Sequence, residues 1–274
     1  YNAVQAGADG TNNSSFDNSA ILTGLLARGP VYLPTGIYWA VSITIVGGSV
    51  LKGDGHELSK IEKVPDTEGH VLYSPFLADQ DHIYMTGFSI DGNRFSYTGN
   101  GIQDGIHLAG GSSSARSVVA YDVWVTTTTG DCWYIGGNRN APNMQYCYGI
   151  GAGSLNTDST ITGKGNGLQL DSHSDAFVGS ASGFGSCKGR SILVKTSATP
   201  VISECEIFWA DHRANIEFYQ CSDLMLRGCN VDGARVAAVR ITGRVGLNTP
   251  AGYQEDAFLL GNTFKNFKGT GGAG

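Results

Sequence analysis

Chemically reactive side chains recur at matched positions of a short sequence pattern that is repeated along the chain. The pattern is apolar at its second and fourth residues, as in Gly167–Leu170 and Asn215–Phe218. Its third residues form what we call the outward column: His107, Tyr134, Gln169, Leu193, Glu217 and Arg240. Two residues further along each copy stand Gly136, Asp171, Lys195, Tyr219 and Thr242. Because successive residues of a β-strand face opposite sides, we expect both sets on one shallow outer face.

Two carboxylates of this face, Asp171 and Glu217, are candidates for a general acid and a general base. Hydrolysis of a glycosidic bond uses two carboxyl groups, roughly 5–5.5 Å apart for retention and 6.5–9.5 Å apart for inversion. The two residues lie two copies of the pattern apart, which is about 10 Å at the backbone of parallel strands. Side chains that lean together would reach the inverting range. The alternative is that both are ordinary solvated carboxylates.

Two polar clusters follow the strands and contain further candidates. Asp171–Asp175 includes His173, which either acts as a base oriented by an aspartate or forms a turn through side-chain-to-backbone hydrogen bonds. Trp209–Arg213 includes Asp211, which either assists the chemistry or belongs to a salt-bridged turn. We predict that His173 and Asp211 assist the acid–base pair.

Sugar binding is predicted for six aromatic and basic residues. Aromatic rings present flat apolar faces that stack on pyranose rings, and basic groups bind sugar carboxylates. The six are Tyr134, Trp209, Tyr219, Lys195, Arg213 and Arg240. No metal and no cofactor are predicted, because no cysteine spacing suggests zinc and no acidic cluster suggests a calcium site.

The spacing of the pattern indicates the elements that position these residues. Leu168, Ile192, Ile216 and Val239 follow one another at steps of 24, 24 and 23 residues. A period of this length with several short strands is typical of a solenoid. We therefore predict an all-β fold, a right-handed single-stranded parallel β-helix.

Stacked coils of such a solenoid would align equivalent inward residues in ladders. One predicted ladder contains Phe88, Val123, Cys147, Cys205, Cys229 and Asn262. Cysteine suits this position as a small buried hydrophobe. The thiols are expected to be free, with a Cys205–Cys229 disulfide as the alternative.

Composition argues against several classes of partner. The 274 residues carry a formal net charge of −6, and only 15% of them are charged. Without a basic stripe to meet phosphates, nucleic acid is not an expected partner. No apolar run approaches the roughly 18 residues of a membrane-spanning helix, so membrane insertion is not expected.

The first 55 residues are predicted to cap the solenoid. They contain a short amphipathic helix at 19–27 and then the first coil, and residues 56–274 continue the β-helix as one continuous domain. Because no capping pattern is present at the C-terminal end, we expect either that the natural chain continues past it or that another subunit covers it. Several segments resemble the N-terminal signature of the pectate-lyase-3-like β-helix family: Gly7–Thr11, the helix at 19–27, Val31–Tyr38, Leu51–Gly55 and, later, Gly87–Asn93.

This resemblance, which covers about residues 1–95, implies the β-helix fold and a set of activities. The family includes phage tailspike depolymerases, pectate lyase-like enzymes and alginate epimerase-type modules. The protein most resembles the tailspikes, which implies an endo-acting homotrimer that cuts bacterial capsule or O-antigen, most simply by hydrolysis. Such a protein would be extracellular or attached to a phage tail.

Two alternatives stay open. The first is a lyase or epimerase on a uronic acid polymer, with His173 or a tyrosine as base and with Arg213, Lys195 or Arg240 neutralising the sugar carboxylate. The second is a non-catalytic adhesin or structural appendage, because the same fold hosts unrelated functions.

Overall fold

Short parallel strands separated by tight turns make up most of the structure. The structure, a computed structural model, describes residues 1–74, 82–109, 117–137, 139–140, 142–153, 164–211, 214–233, 236–242 and 257–266. One α-helix, α1 (Ser19–Leu26), precedes the strands, and a single 3-10 turn spans Arg94–Ser96 within these ranges.

The strands of the first half are, in chain order, β1 (Val31–Leu33), β2 (Gly36–Ala40), β3 (Ile43–Thr44), β4 (Val50–Gly53), β5 (Ser59–Lys63), β6 (Leu72–Ser74), β7 (Ile83–Asp91), β8 (Ile106–Leu108), β9 (Val118–Thr126), β10 (Trp133–Ile135), β11 (Arg139–Asn140), β12 (Asn143–Gln145) and β13 (Tyr148–Ile150). Those of the second half are β14 (Leu168–Asp171), β15 (His173–Ser174), β16 (Phe177–Gly179), β17 (Gly183–Cys187), β18 (Ile192–Lys195), β19 (Val201–Ser203), β20 (Glu206–Ala210), β21 (Ala214–Tyr219), β22 (Leu224–Arg227), β23 (Asn230–Asp232), β24 (Ala237–Thr242), β25 (Ala257–Leu260) and β26 (Thr263–Lys265).

The strands stack coil upon coil into curled parallel sheets. An eight-stranded sheet has the order β24-β21-β18-β14-β10-β8-β6-β3, so each strand pairs with the equivalent strand of the next coil. A sixteen-stranded sheet runs along the other sides of the coils, and β11 pairs with β15 separately. This is the predicted right-handed parallel β-helix. Its interior is filled by aligned apolar residues, since each coil presents the same inward positions to the next.

The predicted register is confirmed in the eight-stranded sheet. Trp133 pairs with Ile106 on one side and Leu168 on the other, and Ile216 pairs with Ile192 and Val239. These residues belong to the core, where Trp133 and Ile216 are fully buried. The inward ladder of the other sheet is confirmed at Phe88 and Val123, which are direct partners. All six cysteines are buried free thiols.

Helix α1 lies at the N-terminal end of the solenoid, as predicted. It turns Leu22, Leu25 and Leu26 into the core. The side chain of buried Asn18 fixes the start of the helix, because it accepts the N–H of Asp9 at 2.7 Å and donates to the carbonyl of Trp39 at 3.0 Å. Among the described residues no helix is long and apolar enough to cross a membrane. The domain boundary at residue 55 stays a prediction.

Candidate functional site

The eight-stranded sheet presents the outward column as one continuous row across its strands. Register places His107 opposite Tyr134, Tyr134 opposite Gln169, and Glu217 opposite both Leu193 and Arg240. The row extends to Tyr73, which pairs with His107 and was not among the predicted site residues. The order of the column read from the sequence is therefore correct.

The expectation of an open, shallow face is wrong for the middle of this row. Gln169, Leu193 and Glu217 are only 3%, 2% and 4% exposed. Polar side chains from residues that lead into the strands contact two of them, Gln169 and Glu217. Asn166 Nδ2 donates to Gln169 Oε1 at 3.3 Å, and Arg190 Nε donates to Glu217 Oε2. Position on the outer side of a strand did not guarantee contact with solvent.

A groove of about 390 Å³ lies at the β18–β21–β24 end of the sheet. Its lining consists of Arg190, Leu193, Lys195, Glu217, Tyr219, Arg240 and Thr242. The structure thus brings together four predicted site residues, Glu217, Lys195, Tyr219 and Arg240. Three cationic groups against one carboxylate make the groove locally positive in a chain of net charge −6. Such a groove attracts anionic groups.

Glu217 has both carboxylate oxygens occupied by guanidinium groups. Arg190 Nε donates to Oε2, and Arg240 Nη1 lies 3.1 Å from Oε1. Arg190 is itself mostly buried, whereas Arg240 is 39% exposed. A general acid must carry a proton on the oxygen that donates it. The arrangement instead suits a fixed negative charge that orients two cations toward the groove.

Asp171 stands at the end of β14, beside rather than within this groove lining. In register it faces Lys195, which in turn faces Tyr219. Ser172 Oγ donates to its Oδ1 at 3.1 Å. Burial, with a further contribution from the Asp171 charge, raises the pKa of the Tyr134 phenol. The acid–base pairing of Asp171 with Glu217 stays a prediction.

The remaining predicted residues lie elsewhere or outside the described residues. Trp209 is 63% exposed and lines a separate depression of about 240 Å³ on the sixteen-stranded sheet, together with Glu206 and Asp232. Asp211 follows the same strand, β20, and its Oδ2 lies 3.2 Å from Lys188 Nζ. His173 lies in β15, paired with Arg139, but its side chain is outside the described residues. Arg213 is also outside them.

A second polar cluster, of whose members only Tyr134 was a predicted site residue, lies toward the N-terminal half of the same sheet. We call it the histidine cluster: His70, Asp104, His107, Asp131, Tyr134 and Lys164. Asp104 is almost fully buried and accepts the N–H of Asp131 on Oδ1 at 2.7 Å. Its Oδ2 lies 2.6 Å from His107 Nδ1 and 3.6 Å from Lys164 Nζ. Burial opposes ionisation, yet the hydrogen bond from His107 and the charge of Lys164 hold the pKa of Asp104 below its ordinary value.

Asp131 is the second buried carboxyl of the histidine cluster. Its Oδ2 accepts from Lys164 Nζ at 2.9 Å, and its Oδ1 accepts the N–H groups of Gly165 and Asn166 at 2.9 and 2.8 Å. Burial and the neighbouring Asp104 carboxylate raise the pKa of Asp131 to about 6, against the opposing effect of Lys164. Lys164 thus bridges the two carboxyls.

The two histidines of the cluster differ in their hydrogen bonding. His70 Nδ1 accepts the N–H of Asp104 at 2.9 Å, and burial lowers the pKa of His70 to about 4, so the ring is neutral at pH 7. The rings of His70 and His107 stack with centroids 4.1 Å apart, and Tyr134 continues the stack at 4.5 Å from His107. Lys164 Nζ lies 4.1 Å above the Tyr134 ring. A ladder of rings therefore crosses adjacent coils.

The histidine cluster also contains the one described group whose residue types and spacing match metal ligands. One atom each from His70, Asp104 and His107 lie within 4.8 Å of one another. The fit is incomplete, because the Nδ1 lone pair of His70 is engaged by a backbone N–H and Lys164 places a positive charge beside Asp104. Hydrogen bonding explains the arrangement without an ion.

The cluster was missed because it depends on a column that the prediction did not consider. This column, which we call the leading column, consists of the residues two positions before the first inward residue of each strand: His70, Asp104, Asp131, Asn166 and Arg190. The register of the paired strands aligns these positions, and the carbonyls of Asp104, Asp131, Asn166 and Arg190 each accept a ladder hydrogen bond from the preceding coil. The sequence signal that could have revealed the cluster is the presence of two aspartates, Asp104 and Asp131, at this one position of the repeat.

The fold and the polar face define a class, the parallel β-helix proteins. A mannuronan C-5 epimerase A-module from Azotobacter vinelandii superposes with a TM-score of 0.64 at 14% identity, over 96% of this chain and 75% of that one. The enzymatically active domain of tailspike protein 2 of bacteriophage CBA120 superposes with a TM-score of 0.64 at 13% identity, over 98% of this chain.

The chain spans 42% of that tailspike domain and 34% of the bacteriophage phi29 gene product 12, which superposes with a TM-score of 0.51 at 17% identity. No family model matches the sequence, and no curated protein matches it. These similarities establish the parallel β-helix fold that the resemblance implied.

Proposed function

We propose that the chain is an endo-acting depolymerase that binds and cuts an acidic bacterial surface polysaccharide on its eight-stranded sheet. The observation that carries this proposal is the outward column of the sheet, which has rings at one end, from Tyr73 to Tyr134, and charged groups at the other, Glu217 and Arg240. Neighbouring strands of a parallel sheet are about 4.8 Å apart, so the row is long enough for several sugar units. Stacking rings and fixed charges are the groups by which proteins hold sugars and their carboxylates.

An acidic substrate is favoured by the groove at the β18–β21–β24 end. Arg190, Lys195 and Arg240 outnumber the one carboxylate of its lining. Guanidinium groups recognise carboxylates through paired hydrogen bonds. Tyr219, 41% exposed at the rim, offers a face for a sugar ring. Tyr134 lies within the histidine cluster, where His107 and Lys164 lie against its ring, and its role in sugar binding stays a prediction.

Two cleavage reactions are compatible with this face. Hydrolysis would use Asp171 and Glu217 as acid and base, with His173 and Asp211 assisting. Elimination from a uronic acid would need cations at the sugar carboxylate and a neutral base at the adjacent proton. The contacts of Glu217 with Arg190 and Arg240 favour elimination, because they occupy both carboxylate oxygens of the residue proposed for hydrolysis and leave the groove positive.

Attachment and assembly extend the proposal. The phage proteins of similar fold support an extracellular or virion-associated protein. The resemblance of the sequence to tailspikes further implies a homotrimer that acts on the surface glycans of bacteria. A non-catalytic adhesin would use the same face only for binding.

The test is incubation of the purified protein with capsules, O-antigens, alginate and pectate, followed by mass spectrometry and ultraviolet absorbance. Oligosaccharides with a new ultraviolet band are expected. Products one water heavier, abolished by Asp171→Asn with Glu217→Gln, would instead establish hydrolysis. The matched control is Glu57→Gln with Asp66→Asn, two exposed carboxylates away from the eight-stranded sheet. Binding without products would replace the depolymerase with an adhesin.

A further inference from the structure

The histidine cluster holds one imidazole in the orientation of a general base. His107 Nδ1 lies 2.6 Å from Asp104 Oδ2, and a carboxylate oxygen can only accept, so the Nδ1 of His107 carries the proton. The lone pair of the neutral ring is therefore on Nε2. Within the described part of the chain, Nε2 has no hydrogen-bond partner, and the ring is partly exposed on the outward column. An imidazole so placed can accept a proton from a bound substrate.

Asp104 is held in place by its neighbours so that its Oδ2 orients His107. Its Oδ1 accepts the N–H of Asp131 at 2.7 Å, and its own N–H is donated to His70 Nδ1 at 2.9 Å. Its side chain is 1% exposed. A carboxylate at Nδ1 holds the ring in one tautomer and stabilises the imidazolium that forms when Nε2 takes a proton. Lys164, 3.6 Å away, balances the charge of the carboxylate while Nε2 is unprotonated.

His70 supplies the complementary group. Because its Nδ1 accepts a backbone N–H, the proton of the neutral ring is on Nε2, which is therefore a donor. The two rings are stacked at 4.1 Å. One acceptor and one neutral donor thus lie side by side on adjacent coils. Such a donor assists the removal of a proton next to a carboxylate, because the carboxylate oxygens take up negative charge as the proton leaves.

We propose that His107 is the general base of an elimination reaction on a uronic acid unit, with Asp104 as its positioning residue and His70 as a donor to the substrate carboxylate. His107 Nε2 takes the proton at C5, and the electron pair of that C–H bond forms the C4=C5 double bond. The C4–O bond breaks with its pair on the glycosidic oxygen, which takes a proton from water. His107 then releases its proton to solvent. No oxidant or reductant takes part.

This inference rests on the proposed function and deepens it, so two measurements are combined. The first is nitrogen NMR of protein labelled with 15N-histidine, without substrate, with signals assigned by loss in His107→Gln and His70→Gln. The expected result is an Nδ1–H tautomer for His107 and an Nε2–H tautomer for His70. An Nε2–H tautomer for His107 would overturn the proposal whatever the activity.

The second measurement is the initial rate of ultraviolet product formation on the polyuronate that the wild-type protein cuts. His107→Gln should lower kcat by about 10²–10⁴-fold with KM nearly unchanged. Asp104→Asn should lower kcat without raising KM, and Asp104→Glu should recover part of the loss. The matched control is His82→Gln, which removes an exposed imidazole that contacts Ser117 outside the eight-stranded sheet and should leave kcat unchanged.

The outcomes separate the two proposals. No cleavage of any glycan by the wild-type protein would overturn the proposed function together with this base. Cleavage that survives in His107→Gln would overturn the base alone. Activity that is lost in EDTA and restored by zinc would also overturn it, because His70, Asp104 and His107 would then be metal ligands. Folding of each variant is checked by circular dichroism and thermal unfolding.

Discussion

The two polar regions of the eight-stranded sheet hold carboxylates in opposite ways. In the β18–β21–β24 groove, one carboxylate, Glu217, is shared by two guanidinium groups and the surroundings are positive. In the histidine cluster, two buried carboxyls, Asp104 and Asp131, share one ammonium group, Lys164, and the surroundings are otherwise neutral. Both regions place their outer groups on the same column of the same sheet.

The leading column accounts for the difference. It places Asp104 against His107 and Arg190 against Glu217, while Asn166 contacts Gln169 between them. The hydrogen bonding and local charge of each outward residue thus depend on the leading-column residue of its own strand or of a neighbouring strand. One region is suited to binding negative charge and the other to moving a proton.

Lys164→Gln should be the most destabilising of the changes. It leaves the carboxyls of Asp104 and Asp131 buried without their shared cation. Removal of one partner from a buried ion pair costs about 3–5 kcal/mol. The free energy of unfolding from urea titration measures the loss. Lys188→Gln, which removes an exposed ion pair with Asp211, is the control and should cost under about 1 kcal/mol. Equal losses in the two variants would contradict the contrast.

Arg190→Gln should be less destabilising, by about 2–3 kcal/mol, because Glu217 keeps one cation. Arg240→Gln removes the other, more exposed guanidinium and should cost only about 0–1 kcal/mol. Urea unfolding of both variants side by side gives the comparison. An equal loss of stability in the two variants would contradict the prediction, because it would show that burial of the guanidinium group does not set the strength of its contact with Glu217.

Acidification should lower the stability of the wild-type protein more than that of the His70→Gln variant. Burial lowers the folded-state pKa of His70 to about 4, while the unfolded chain binds the proton near pH 6.5. The stability that His70 contributes is therefore present above pH 6.5 and is lost as pH falls toward 4. We expect a wild-type loss of about 1–2 kcal/mol that the variant lacks, after allowance for partial exposure.

Thermal unfolding from pH 7 to 4.5 measures this difference. The groups facing His70 are Asp104, His107, Lys164 and Lys63, which both proteins retain. The pKa of Asp131 is raised to about 6 in the folded state, so Asp131 stabilises the folded protein as pH falls through the same range. Both proteins retain Asp131. Parallel pH profiles of wild type and variant would show that His70 takes up its proton at the same pH in the folded and the unfolded chain, and would contradict this prediction.

The strand register was the most predictable part of the structure. The 24-residue steps from Leu168 to Ile216 placed Glu217 between Leu193 and Arg240, as the structure confirms. Helix α1 and the inward position of Cys147 followed from the same local patterns. The burial of Glu217 was not predictable, because it depends on how far the Arg190 side chain reaches over the next coil.

The sequence by itself determined the fold and the outward column, because strand alternation and a constant period are local properties that each coil repeats. The tertiary structure alone decided the histidine cluster. Asp104, Asp131 and Lys164 meet although 27 and 33 residues separate them along the chain, since coils of unequal length hide the shared position of the two aspartates and the proximity of Lys164 to it. Coulomb and hydrogen-bond energies depend on distances between coils, which only stacking fixes.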